Sequence, residues 1–136
     1  MSVFPIRLSP NQDLREELEK VVNKHGWSSC WIMMGIGSLS QVSLRFAGKN
    51  DVQILTGDWE ICSLNGTMCS DGVHLHMVVA DADGHTRGGH VGYGNIIRTT
   101  GEIVLGYSSL YLFSRQHDSR TGYLELVVQE CRESSC

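Results

Sequence analysis

The feature that most constrains this chain is its dense punctuation by tight-turn dipeptides. Asn65-Gly66, Asp71-Gly72 and Asp83-Gly84 follow one another across its middle. Asn, Asp and Gly tolerate the positive φ that two-residue hairpin turns demand. Short apolar runs lie between and around them. A parallel strand pair needs a crossover of about a dozen residues or more, and turns this close leave no room for one. The pattern therefore predicts antiparallel neighbours. Fifteen glycines against 2 prolines fit a chain with many turns and close backbone contacts.

The apolar runs supply the strands. Val3–Leu8 reads as the first, and Pro5, which cannot donate to a ladder, puts it at a sheet edge. Ser29–Met34 follows and is expected to break at Gly35-Ile36-Gly37-Ser38, a glycine-rich turn that completes neither G-x-G-x-x-G nor G-x-x-x-x-G-K-[ST]. Val42, Leu44 and Phe46 then alternate with polar neighbours, as in a half-buried strand. Further strands are expected at Val52–Leu55, Trp59–Leu64, Val73–Ala80, Ile103–Leu112, with a bend near Gly106, and Tyr123–Gln129. One helix interrupts them, at 13–25. Asp13-x-x-Glu16 resembles a capping box, Leu14, Leu18, Val21 and Val22 share a face, and Gly26 supplies the stop. The expected fold class is α+β: one compact domain with a mainly antiparallel sheet and one clear helix.

At 136 residues, with 41% apolar and 19% charged residues, the chain is long enough to bury a core without a structural metal. No apolar run approaches the roughly 18–20 residues that span a bilayer. The first residues, MSVFPIRLSPNQD, lack the basic and apolar regions of a signal peptide, so a cytoplasmic location is expected. Cys30, Cys62, Cys69, Cys131 and Cys136 form no C-x-x-C pair and are expected as reduced thiols. Net charge is −4, and the lysines and arginines form no cluster. Affinity for duplex DNA comes mainly from clustered cations against phosphate, so autonomous DNA binding is disfavoured for this chain.

One group of residues carries the chemistry. In a strand, residues two apart face the same way, so His74 and His76 would stand side by side with Leu75 turned to the core. Two imidazoles so placed can grip one metal, and His90, presented by a Gly88-Gly89 turn, could complete a three-histidine set with an open fourth position. Zinc is the first candidate; nickel, copper and iron also accept imidazole. The alternative is a group of surface or interface histidines satisfied by hydrogen bonds. His85, in the Asp83-Gly84-His85 turn, and His25, at the helix end, read as solvated, and His117 reads as part of a polar loop. Glu60 and Glu102, each inside an apolar strand, are candidate supporting carboxylates, either as general base or as metal ligand; the alternative is an ion-pair partner or an outward-facing side chain on a wet sheet face. No nucleophile elbow, H-E-x-x-H motif or complete calcium loop is present.

The order of motifs resembles the plant-and-prokaryote-conserved (PPC) domain. Gly35-Ile36-Gly37-Ser38-Leu39 is followed by Trp59-Glu60-Ile61-Cys62-Ser63-Leu64-Asn65-Gly66-Thr67, and then by Asp71-Gly72-Val73-His74-Leu75-His76. Asp83-Gly84, Gly88-Gly89-His90-Val91 and Gly101-Glu102-Ile103-Val104 complete the series. The resemblance covers nearly the whole chain and implies a PPC-like domain over 1–130, with 131–136 as a frayed tail. It also implies a homotrimer, and it places the three histidines inside the family's own signature. Plant relatives join this domain to AT-hooks, and some prokaryotic relatives carry a predicted DNA-binding label. The AT-hook core Arg-Gly-Arg-Pro is absent here. Two functions follow as expectations. One is a homotrimeric binding or regulatory module with a histidine-lined metal or small-ligand site. The other is a small metal-dependent hydrolase or lyase using Glu60 or Glu102 as base.

Overall fold

The computed structural model describes residues 1–131. Along the chain run β1 (Ser2–Leu8), α1 (Leu14–His25), β2 (Cys30–Arg45), β3 (Val52–Cys69), β4 (Gly72–Ala80), β5 (Thr86–Val91), β6 (Ile96–Tyr107), β7 (Tyr111–His117) and β8 (Leu124–Glu130). All pairings are antiparallel. Six strands form one sheet in the order β1-β6-β2-β3-β4-β5, and β7 and β8 form a separate two-stranded sheet. The fold class is α+β, as the turn spacing predicts.

Asp13 starts the helix by accepting from the backbone N–H groups of Arg15 at 2.9 Å and Glu16 at 3.3 Å. Gly26 ends it in the left-handed region at φ 63°, which a glycine occupies without a Cβ penalty. Leu14, Leu18 and Val22 are buried and join one core with Leu39, Val42, Leu44, Ile61, Met77, Ile103 and Leu105 from the sheet. Pro5 sits in β1 at the sheet edge, opposite Val104.

β5 pairs with β4 along its length and also with the end of β2, through Leu44↔Val91 and Arg45↔His90. The strands β2, β3, β4 and β5 therefore close into a ring at that end, and the closure fixes where β5 lies.

The structure corrects several expectations. The glycine-rich segment Gly35–Ser38 is no break: β2 runs through it for 16 residues, paired on both sides. Val52–Leu55 and Trp59–Leu64 merge into the 18-residue β3. Asn65-Gly66 lies within that strand instead of turning, opposite His76 and Leu75. A Cβ on Gly66 would stand 2.2 Å from the His74 carbonyl oxygen, so this glycine permits close backbone approach. The other two dipeptides do turn, Asp71-Gly72 between β3 and β4 and Asp83-Gly84 between β4 and β5. The expected strand 103–112 is divided between β6 and β7. Cys30, Cys62 and Cys69 are free thiols, whereas Cys131 is disulfide-bonded and not reduced. Residues 132–136 of the expected frayed tail lie outside the described residues. Among the described residues, no helix is long and apolar enough to cross a membrane.

Candidate metal centre

β4 alternates strictly. Leu75 and Met77 point into the core at 2% and 1% exposure, while His74 and His76 face out on the other side. His90 arrives from β5, directly opposite His76. Its segment, Gly88-Gly89-His90, is strand and not the turn the sequence suggests. The glycine before it has a definite task. A Cβ on Gly89 would stand 2.7 Å from the Arg45 carbonyl oxygen, so only glycine lets β5 lie against β2 here. That closure sets His90 beside β4.

Three ring nitrogens converge. His74 Nε2 lies 3.1 Å from His76 Nε2 and 3.2 Å from His90 Nδ1, and His76 Nε2 lies 3.1 Å from His90 Nδ1. Hydrogen bonding cannot satisfy this triangle. A ring nitrogen either carries a proton and donates or carries a lone pair and accepts, never both. Around three atoms, at least one pair must then be donor against donor or acceptor against acceptor. Three lone pairs directed at one cation leave no such conflict. Zinc–nitrogen bonds of about 2.0–2.1 Å in tetrahedral array put ligand nitrogens about 3.3–3.4 Å apart, close to the spacing found.

The electrostatics favour neutral rings. Burial pushes the His90 imidazole down to about 4, helped by the Arg45 guanidinium and by the other two histidines. His74 is also lowered, first by its partial burial and then by His76 and Arg115, with Glu125 pulling the other way. A neutral imidazole is the form that ligates a metal.

Glu60 and Glu102 do not join this group. Glu60 lies on β3 opposite Ser38 and Ala80, and Glu102 on β6 opposite Arg7 and Ile36; both are exposed. His25 is exposed, as expected, and its ring stacks on Trp27 with centroids 4.6 Å apart. His117 ends β7 instead of sitting in a loop. His85 Nδ1 lies 3.4 Å from Asp81, in a turn whose Asp81 carboxylate already accepts from the backbone of Asp83 and His85.

A cleft of about 880 Å³ opens beside the histidines, lined by His74, His90, Arg45, Arg115, Tyr123 and Glu125 among others. Sequence reasoning passed over Arg45, Arg115 and Glu125. Nothing local marks them, because they come from β2, β7 and β8 and meet only in space.

A family model, the Plants and Prokaryotes Conserved (PCC) domain, matches residues 1–109. The chain belongs to the PCC domain family. It is 46% identical over 135 residues to the bifunctional protein GlmU of Synechococcus sp. strain JA-3-3Ab, spanning 99% of this chain but only 22% of that protein's length. A hypothetical protein from Salmonella enterica has the same fold at 39% identity and TM-score 0.93, covering 95% of this PCC chain and 94% of its own. A protein from Archaeoglobus fulgidus described as metal-containing shares the fold at 24% identity and TM-score 0.75, over 93% of this chain and 94% of that one.

Proposed function

We propose that this PCC domain is a homotrimeric binding or regulatory module whose His74, His76 and His90 hold one divalent transition metal, zinc foremost, with a small ligand at the open position. The observation that carries the reading is the mutual approach of three ring nitrogens at 3.1–3.2 Å, which hydrogen bonds cannot satisfy. The metal-containing description of the Archaeoglobus relative supports it at the level of fold. Three protein ligands leave the fourth position to water or ligand, as in catalytic and ligand-binding zinc sites rather than structural ones. Bound there, the ion would supply Lewis acidity; the chain's own residues hold it and shape the cleft beside it.

Binding is preferred to hydrolysis or lysis because Glu60 and Glu102, the two carboxylates the sequence offers as base, stand apart from the histidine group. Support for assembly comes from apolar side chains left in solvent, among them Met34 and Ile36 on β2 and Val127 and Val128 on β8. Closed cyclic assembly covers such surface and the free sheet edges. DNA binding ranks lowest, at net charge −4.

Elemental analysis of the purified chain after dialysis tests the metal. About one zinc per chain is expected. Less than about a tenth, even after zinc is supplied and the excess removed, overturns the reading.

A further inference from the structure

We propose that Arg45 and Arg115 form an oxyanion subsite beside the histidine group, so that the ligand of the cleft is a small organic molecule with a carboxylate or phosphate head. The inference rests on the metal reading above and names the class of ligand that would fill its open position.

The two arginines are placed by strand register. Arg45 lies opposite His90, where β5 meets β2. Arg115 reaches from β7 to Thr67, donating from Nη2 to the Thr67 hydroxyl at 2.7 Å and to its carbonyl at 3.2 Å, and Thr67 lies opposite His74. Both are half-buried and both line the cleft with His74 and His90. Neither has an ion-pair partner among the described residues, although Arg15, on the same cleft, is paired with Glu19 at 3.0 Å.

Both retain unused donors. A guanidinium carries five N–H groups. The contacts found for Arg45 engage Nη1, which donates to the Lys49 carbonyl at 3.1 Å; those for Arg115 engage Nη2. The planar fork that remains matches a carboxylate or phosphate, and a half-buried cation without a counter-charge is costly. Two carboxylates also line the cleft. Asp71 accepts from the Arg115 backbone at 3.3 Å, and Glu125 comes from β8. They leave the two guanidiniums and a divalent ion in excess of negative charge. The lining also includes the exposed Tyr123 and Leu124, which suit a less polar body behind the charged head. A volume of about 880 Å³ accommodates a whole small molecule.

The test uses the full chain, calorimetric titration with inorganic phosphate and separately with malonate, and parallel metal analysis. Zinc-loaded protein is expected to bind at least one of the two. Arg45→Gln and Arg115→Gln are each expected to weaken that binding about tenfold or more, the worth of one charge-assisted hydrogen bond, with zinc content unchanged. Arg115→Lys, which keeps the charge and the reach to Thr67, is expected to fold like the parent and to recover part of the affinity. Phosphate binding alone identifies a phosphorylated head, and malonate binding alone a carboxylated one. Affinities within twofold of the parent in both Gln variants overturn the subsite and leave the metal centre standing. No binding of either anion also overturns it. If the parent holds no zinc, the metal reading fails, and the subsite then survives only if metal-free protein binds an anion in an arginine-dependent way.

Discussion

His90 is the residue on which the site turns, and its surroundings make its chemistry testable by pH. In the metal-free fold its imidazole is held down to about 4, against about 6.5 for an unperturbed histidine. Between those values the unfolded chain binds the proton and the folded chain does not. Metal-free protein is therefore expected to be most stable above about pH 6.5 and to lose stability as pH falls towards about 4, with His74 contributing in the same direction. Urea melts at stepped pH measure this; a stability that is flat over the window contradicts it. Metal retention follows the same chemistry. With His90 and His74 held neutral below the ordinary imidazole value of about 6.5, half the zinc is expected to be retained below that pH. Replacing His74, His76 or His90 by Ala should each cut zinc content severely, while His25→Ala and His117→Ala should change it little. Equal effects of all five substitutions in metal analysis would remove the assignment.

At the scale of elements, two backbone contacts hold the histidines in place. β3 meets β4 at Gly66 and β5 meets β2 at Gly89, each so close that a Cβ would strike a carbonyl oxygen, at 2.2 Å and 2.7 Å. Gly66→Ala is expected to cost more than about 1 kcal/mol, since the φ of 154° there is also unsuited to a side chain. It should weaken zinc binding as well, because the clashing oxygen belongs to His74. Helix α1 supports the site mainly through the core, besides Arg15, which lines the cleft and donates to the Val91 carbonyl at 2.9 Å. Leu18 is fully buried, so Leu18→Ala is expected to cost about 2–5 kcal/mol in denaturant unfolding and to leave the zinc stoichiometry of the folded fraction unchanged. The helix was legible from Asp13, Gly26 and the spacing of Leu14, Leu18 and Val22, all local signals. The long β2 and β3 were not, because glycines that read as turns serve instead as points of close strand contact.

For the whole molecule the expectations concern assembly and partners. A chain of 15.1 kDa assembled as a trimer has a mass of about 45 kDa, which light scattering reads directly. A monomer at micromolar concentration contradicts the assembly. With net charge −4, the isolated protein should bind neither random nor A·T-rich duplex with submicromolar affinity at about 150 mM salt. The chain spans 22% of the length of its GlmU relatives, so the same domain also occurs as part of a much larger protein.

The sequence by itself determined the class of fold, the helix with both its ends, the edge position of β1 and the pairing of His74 with His76 on one strand face. Each follows from a local rule: a 3.6-residue or two-residue period, a cap, or a missing donor. Tertiary structure alone decided that His90 completes the triangle, that Glu60 and Glu102 stand outside it, and that Arg45, Arg115 and Glu125 line the cleft beside it. The physical reason is register. His90 reaches the other two only because β5 pairs with β4 and β2 together, and such a pairing is fixed by packing between strands far apart in the chain.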